Sequence, residues 1–235
     1  MNTTSISINF CLRQVSVEAA DKVASMMQRP EETEKSLLQL CGERLSSSAL
    51  TKVNRALAYA KSLESTDPSH PSMRLYFAHP LRVAHISLQL LAEPTVEIVA
   101  MGLLHNVFEV SGLTAGDLLE AGFSERLASG IRLTTIDRKQ QYDETYLTKF
   151  YGRIKAFGDD LTLIKCVDKL DNLLAFQLFE RTPEIERYMN LCEQFAAPLA
   201  SSLSSEFGDY VQETIDYMRR VGCDEVLRAE YQRLA

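Results

Sequence analysis

The chain has 235 residues, 46% hydrophobic and 24% charged, enough for one large domain with a real core. Its 32 Asp and Glu outweigh 25 Lys and Arg, giving a net charge of -7. That excludes a general nucleic-acid binder, because phosphate affinity rests on clustered Lys and Arg. The five cysteines (Cys11, Cys41, Cys166, Cys192 and Cys223) are scattered and form no CxxC pair, which fits reduced thiols rather than a disulfide framework. No apolar run approaches the ~18 residues of a membrane span, and residues 1–15 lack the basic-then-apolar pattern of a leader. These features predict a soluble, cytoplasmic protein.

Taken in order, the elements read as helix after helix, with ten Gly and seven Pro as punctuation. Residues 1 to about 15 are Thr- and Ser-rich with short apolar alternation, which fits a disordered tail or one short strand. A helix is predicted from Ser48 to about Ser62, followed by the loop TDPSHPS at 66–72. The next helix is expected to begin at His79-Pro80, where proline in the first turn loses no hydrogen bond. It buries Leu81, Ala84, Leu88 and Leu91, while Arg82, His85, Gln89 and Glu93 form a solvated stripe. Pro94-Thr95 stops it, and Thr95 caps the helix leading into GLLHNVFEV at 102–110. Thr114 caps a short helix ending at Gly122. A helix of about 20 residues spans Asp160 to Phe179, and helices near 184–204, 208–220 and 223–234 finish the chain. Residues 1–45 read as an appendage, 46–182 as the main domain and 183–235 as a helical extension that could dimerise or cover a pocket.

Polar residues interrupt apolar helices at three places, and buried polar groups need partners. His105, Asn106 and Glu109 break the run Val99 to Phe108, at spacings of three and four that let them converge on one helical face. Asp168, Asp171 and Asn172 lie in LTLIKCVDKLDNLLAF, which is otherwise apolar nearly all round. His79 heads its helix after Tyr76 and Phe77, both read as core. Two histidines, an aspartate and a further oxygen from separate helices are what a divalent metal requires, and imidazole with carboxylate suits Mn, Fe or Zn.

The order of HPLRVA (79–84), LLHNVFEV (103–110), Thr134-Thr135 and LIKCVDKLDNL (163–173) resembles the HD-domain phosphohydrolases. Within them it is most similar to the RelA/SpoT-type guanosine tetraphosphate and pentaphosphate hydrolases and their small single-domain relatives. The resemblance covers residues 48 to 180 and implies an all-α helical bundle with a divalent metal, Mn first, held by His79, His105, residue 106 and Asp168. It implies that Glu109 orients the attacking water, that Asn172 meets the nucleotide sugar or steadies the site, and that Arg74, Lys165 and Lys169 contact phosphate. With roughly 55 residues after 180, the synthetase segment of the long relatives is not expected in this sequence.

Two positions depart from the family pattern: His-Asp is His105-Asn106, and Glu-Asp is Glu109-Val110. Asn106 can still offer a carbonyl oxygen but brings no charge, and Val110 removes a carboxylate. Three readings stay open: a phosphohydrolase of phosphorylated nucleotides with impaired turnover, a nucleotide-binding sensor that does not cleave, and a protein-interaction scaffold. The basic residues Arg132, Arg138, Lys139, Lys149, Arg153 and Lys155 read as a solvated face, with phosphate recognition as the alternative, and His70 reads as loop surface.

Overall fold

The computed structural model describes residues 6–27, 30–63 and 73–234, with the side chains of 73–76 and 234 outside that description. The loop at 66–72, His70 and the side chains of Arg74 and Tyr76 therefore lie outside the described residues. Among the described residues the protein is all-α with no β-strand; one isolated antiparallel bridge joins Ile8 to Leu91. That bridge is where the apolar alternation of the N-terminal segment is used. The Asn9 N–H donates to the Leu90 carbonyl at 2.7 Å and the Ala92 N–H to the Ser7 carbonyl at 2.9 Å. No helix is long and apolar enough to cross a membrane among the described residues.

The helices are α1 (Val15–Met27), α2 (Pro30–Arg44), α3 (Ser47–Lys61), α4 (Met73–Leu90), α5 (Val96–Leu104), α6 (Val107–Val110), α7 (Ala115–Glu120) and α8 (Glu125–Thr134). They continue as α9 (Glu144–Phe157), α10 (Asp159–Leu173), α11 (Pro183–Leu191), α12 (Ala197–Ser201), α13 (Ser205–Val221) and α14 (Glu225–Leu234). Caps follow the sequence where the signal is local. Thr95 accepts from the Ile98 N–H, Ser124 from Leu127, and Asp143 from Tyr146, while Thr114 and Asp117 form a capping box. The start of α4 differs from the sequence expectation: the helix begins at Met73, so Pro80 lies inside it rather than in its first turn. Proline there leaves one intrahelical hydrogen bond unmade, and the packing of α4 against α2, α5 and α10 outweighs that loss. The long helix expected to Phe179 ends at Leu173, followed by a short 3-10 turn at Phe176–Leu178.

The core is built around α4, α5 and α10. Leu161, Leu163, Ile164, Val167, Leu170 and Leu173 of α10 are all fully buried, and each such side chain contributes about 1.5–3 kcal/mol through burial. A helix apolar nearly all round is a central helix, so its buried charged residues, among them Lys165, Asp168 and Asp171, must find partners inside the protein. Gly102 lets α5 cross α4 at close range: a Cβ there would lie 2.7 Å from Ala84 Cα. Helices α1 and α2 lie over the outer face of α4, so Arg82, His85 and Gln89 of the stripe expected to be solvated are half-buried, while Glu93 is exposed. His85 is half-buried on that stripe, its Nε2 3.2 Å from Ser36 Oγ on α2.

Candidate metal centre

Each ring of the two histidines is oriented from behind. His79 Nδ1–H donates to Asp171 Oδ2 at 2.8 Å, and His105 Nδ1–H donates to the Gly102 carbonyl at 2.7 Å. A carboxylate and a carbonyl can only accept, so both rings carry their proton on Nδ1 and turn Nε2 inward. The two Nε2 atoms stand 3.1 Å apart, with Asp168 Oδ1 at 3.4 Å from the first and 3.7 Å from the second. Two inward lone pairs at that separation require a proton or a cation between them. The circle through these three atoms has a radius of about 2.0 Å, the length of a bond from a first-row divalent ion to imidazole or carboxylate. The donor set and its spacing therefore fit a metal ion. Hydrogen bonds that fix tautomer and ring direction are the usual support of metal-binding histidines.

The helix interruption that frees the His105 carbonyl is local. α5 stops at Leu104, Asn106 adopts φ -107, ψ 6, and α6 restarts at Val107. The Glu109 N–H bonds the Asn106 carbonyl instead of that of His105. The freed His105 carbonyl accepts from Thr134 Oγ1 at 2.8 Å, and the Thr134 carbonyl accepts from Lys165 Nζ at 3.2 Å. The continuous helical face expected for His105, Asn106 and Glu109 is thus interrupted. Asn106 is half-buried at the break, and Glu109 reaches away to accept the Ile136 N–H at 3.2 Å. Val110 is buried.

Cations surround the two carboxylates of α10. Lys165 Nζ lies 3.0 Å and Lys169 Nζ 3.6 Å from Asp168 Oδ2, and Asn172 Nδ2 donates to Asp168 Oδ1 at 2.9 Å. Asp171 accepts from Arg82 Nε at 2.8 Å and from Lys22 Nζ of α1. Burial pushes against ionisation of both aspartates, but the lysines beside Asp168, and Lys22 with Arg82 beside Asp171, outweigh it and hold both carboxyls far below their usual range. Burial likewise opposes the charge on His79, yet its bonds to Asp168 and Asp171 raise its pKa, whereas burial prevails at His105 and lowers it.

A cavity of about 180 Å³ has Glu109, Arg138, Tyr142, Tyr151, Lys169 and Tyr188 among its walls; His79, His105 and Asp168 do not line it, and Lys169 links it to Asp168. Of the residues the resemblance gives to phosphate, Lys169 faces this cavity. Lys165 is buried, its ammonium held by Asp168 and Thr134 and set 5.4 Å above the Phe150 ring. Arg132, Lys139, Lys149, Arg153 and Lys155 are exposed, as expected; Arg138 is exposed too but also reaches the cavity. The sequence reading gives Lys22 and Arg82 no role in the site, and Thr134 only a place in the Thr134-Thr135 motif. Arg82 stands one helical turn after His79, which could have flagged it. Nothing local marks Lys22.

Fold and centre together define an all-α helical protein with a buried His-His-Asp cluster. No family model matches the sequence, and no curated protein matches it. The fold matches the solved structure of a metazoan ortholog of SpoT, a protein that hydrolyses ppGpp and plays a role in starvation responses. The TM-score is 0.50 at 19% identity, over 75% of this chain and 96% of that one. At that identity the likeness establishes the fold alone, the all-α helical fold expected from the sequence.

Proposed function

We propose that this chain is an HD-type, metal-dependent phosphohydrolase-like protein of the cytoplasm that acts on a phosphorylated nucleotide such as guanosine tetraphosphate, with turnover lowered by Asn106 and Val110. The observation that carries this reading is the set of three inward donor atoms, His79 Nε2, His105 Nε2 and Asp168 Oδ1, at mutual distances of 3.1, 3.4 and 3.7 Å. These three residues would hold the metal, Mn by preference for mixed imidazole and carboxylate donors, with the Asn106 carbonyl as a weak fourth donor. A divalent cation here supplies Lewis-acid polarisation of a phosphoryl oxygen and a lowered pKa for water. Glu109 stands in the cavity wall with one oxygen fixed by the Ile136 N–H, and the other is available to orient water and take its proton. Lys169, between Asp168 and the cavity, meets phosphate charge. Asn172 steadies Asp168 rather than reaching for a sugar.

One observation favours a second reading, in which the nucleotide is bound but not cleaved. Lys22, Arg82, Lys165 and Lys169 set four cations against the carboxylates of Asp168 and Asp171. That excess weakens a divalent cation and attracts an anion. Both readings are tested by measuring Mn content after incubation and dialysis, beside Asn106→Asp, with release of pyrophosphate from guanosine tetraphosphate as the second readout. The first reading expects weak Mn uptake, tightened ~10- to 100-fold by Asn106→Asp, with hydrolysis rising in parallel. If neither form binds Mn while guanosine tetraphosphate still binds in EDTA, the hydrolase reading is wrong and the sensor reading stands.

A further inference from the structure

We propose that Lys22 of α1 is a positioning residue for the His79–His105–Asp168 centre: it fixes the Asp171 oxygen that orients the His79 ring. This rests on the metal reading of those three residues. Asp168 and Asp171 are three residues apart on α10 and so share a face. The first points its carboxylate at the centre, and the second grips His79 from behind. The two oxygens of Asp171 are divided between partners. Oδ1 accepts from Arg82 Nε at 2.8 Å, while Oδ2 accepts both His79 Nδ1–H and the Lys22 ammonium. Lys22 therefore acts on the very atom that sets the tautomer and direction of the ring.

Lys22 is 3% exposed and Asp171 fully buried, at a sequence separation of 149. A buried ion pair of this kind is a poor source of stability, because desolvation of both charges offsets their attraction. What it does provide is a carboxylate with no freedom to rotate. Arg82 alone would tether Asp171 through the other oxygen and leave Oδ2 free to swing. The N-terminal helix thereby becomes part of the machinery of a site whose other residues all lie between 79 and 172.

The test uses the full chain and compares Lys22→Met, Asp171→Asn and the double variant with the natural sequence. Two quantities are read: Mn affinity, from free Mn²⁺ by electron paramagnetic resonance, and the His79 tautomer, from long-range ¹H–¹⁵N spectra of the metal-free protein at a pH where the ring is neutral. Lys22→Met is expected to weaken Mn binding by ~10-fold, the lower end for loss of an outer partner, and to turn the single Nδ1–H tautomer of His79 into a mixture. The double variant is expected to bind Mn no more weakly than Asp171→Asn alone, because Lys22 acts through Asp171. A purely structural lysine would lower the melting temperature while ring signals and affinity stay as in the natural chain, and that result overturns the proposal. Absence of Mn uptake in the natural chain would overturn the metal reading alone and leave the ring signals to decide the role of Lys22. If Lys22→Met yields too little folded protein, Lys22→Gln, whose shorter uncharged amide does not replace the ammonium, is read in its place; unchanged His79 signals and Mn affinity there also overturn the proposal.

Discussion

Gly102→Ala and Gly152→Ala are the same chemical change in two helices, and the structure predicts opposite signs for them. At Gly102 the new methyl would sit 2.7 Å from Ala84 Cα, 2.9 Å from its nitrogen and 3.0 Å from its Cβ. Ordinary contact begins near 3.4 Å, so α5 must back away from α4 by about 0.7 Å, and the obstructing atoms are backbone that cannot rotate aside. Overpacking of this kind costs about 1–3 kcal/mol, and a backbone clash belongs at the upper end. Replacing a helical glycine returns ~1 kcal/mol in propensity, which leaves a net loss of ~2 kcal/mol. Gly152 is exposed on α9 with nothing within 4 Å of the added carbon, so only the gain of ~1 kcal/mol remains. For a chain of this size, ~1 kcal/mol moves the melting temperature by about 2–4 °C. Thermal melts with urea titrations should therefore show Gly102→Ala lower by about 4–8 °C and Gly152→Ala higher by about 2–4 °C. Because His79 and His105 ride on the two separated helices, Mn affinity should fall in the first variant and not in the second. If Gly102→Ala is stabilised as much as Gly152→Ala, the α4–α5 crossing is looser than described, and the spacing of the two histidines loses its structural basis.

Three further outcomes are expected. Burial, then the nearby Arg82 charge, lowers His85 to about 4 against the opposing pull of Glu18, whereas the unfolded chain titrates near 6.5. The unfolded state therefore binds the extra proton between these values, and stability falls as pH drops from about 6.5 to about 4 and then levels off. The ceiling is ~3 kcal/mol, trimmed to roughly 1–2 kcal/mol by solvent at the half-buried ring. His85→Gln should flatten that part of the melting-temperature profile, and an unchanged slope would assign it to other groups. Arg44 donates to the carbonyls of Leu88, Leu91 and Ala92 at the end of α4, so Arg44→Ala should lose ~1.5–3 kcal/mol in urea denaturation; a loss near zero would show that water replaces the guanidinium freely. Glu109→Gln keeps an acceptor for the Ile136 N–H but cannot take a proton. Any Mn-dependent nucleotide hydrolysis should fall at least ~100-fold with melting temperature and Mn affinity unchanged, and persistent turnover would remove Glu109 from the proposed mechanism.

What the sequence reveals here follows the range of the forces involved. Thr95 and Thr114 cap their helices as read, because a cap is settled within three residues. The all-α class was legible because no stretch alternates long enough to make a strand. Pro80 misled for the reverse reason: its local preference for a first turn was overruled by the packing of residues before and after it. His85 reads as solvated because its stripe is polar, and the placement of α1 and α2 leaves it half-buried. The motif order led to His79, His105 and Asp168, which the structure brings together. The break at His105-Asn106 was hidden, since spacing assumes an unbroken helix, and Thr134 fills the bond that the break frees.

The pairing of Lys22 with Asp171 also bears on how the chain assembles as it is made. Synthesis runs from the N-terminus at roughly 5–20 residues per second. At a sequence separation of 149, Lys22 precedes its counterpart by about 7–30 s. During that interval the helix carrying it has no reason to bury an ammonium group. The ring of His79 can be locked only after α10 has left the ribosome, so a pause in translation anywhere between the two positions postpones that step.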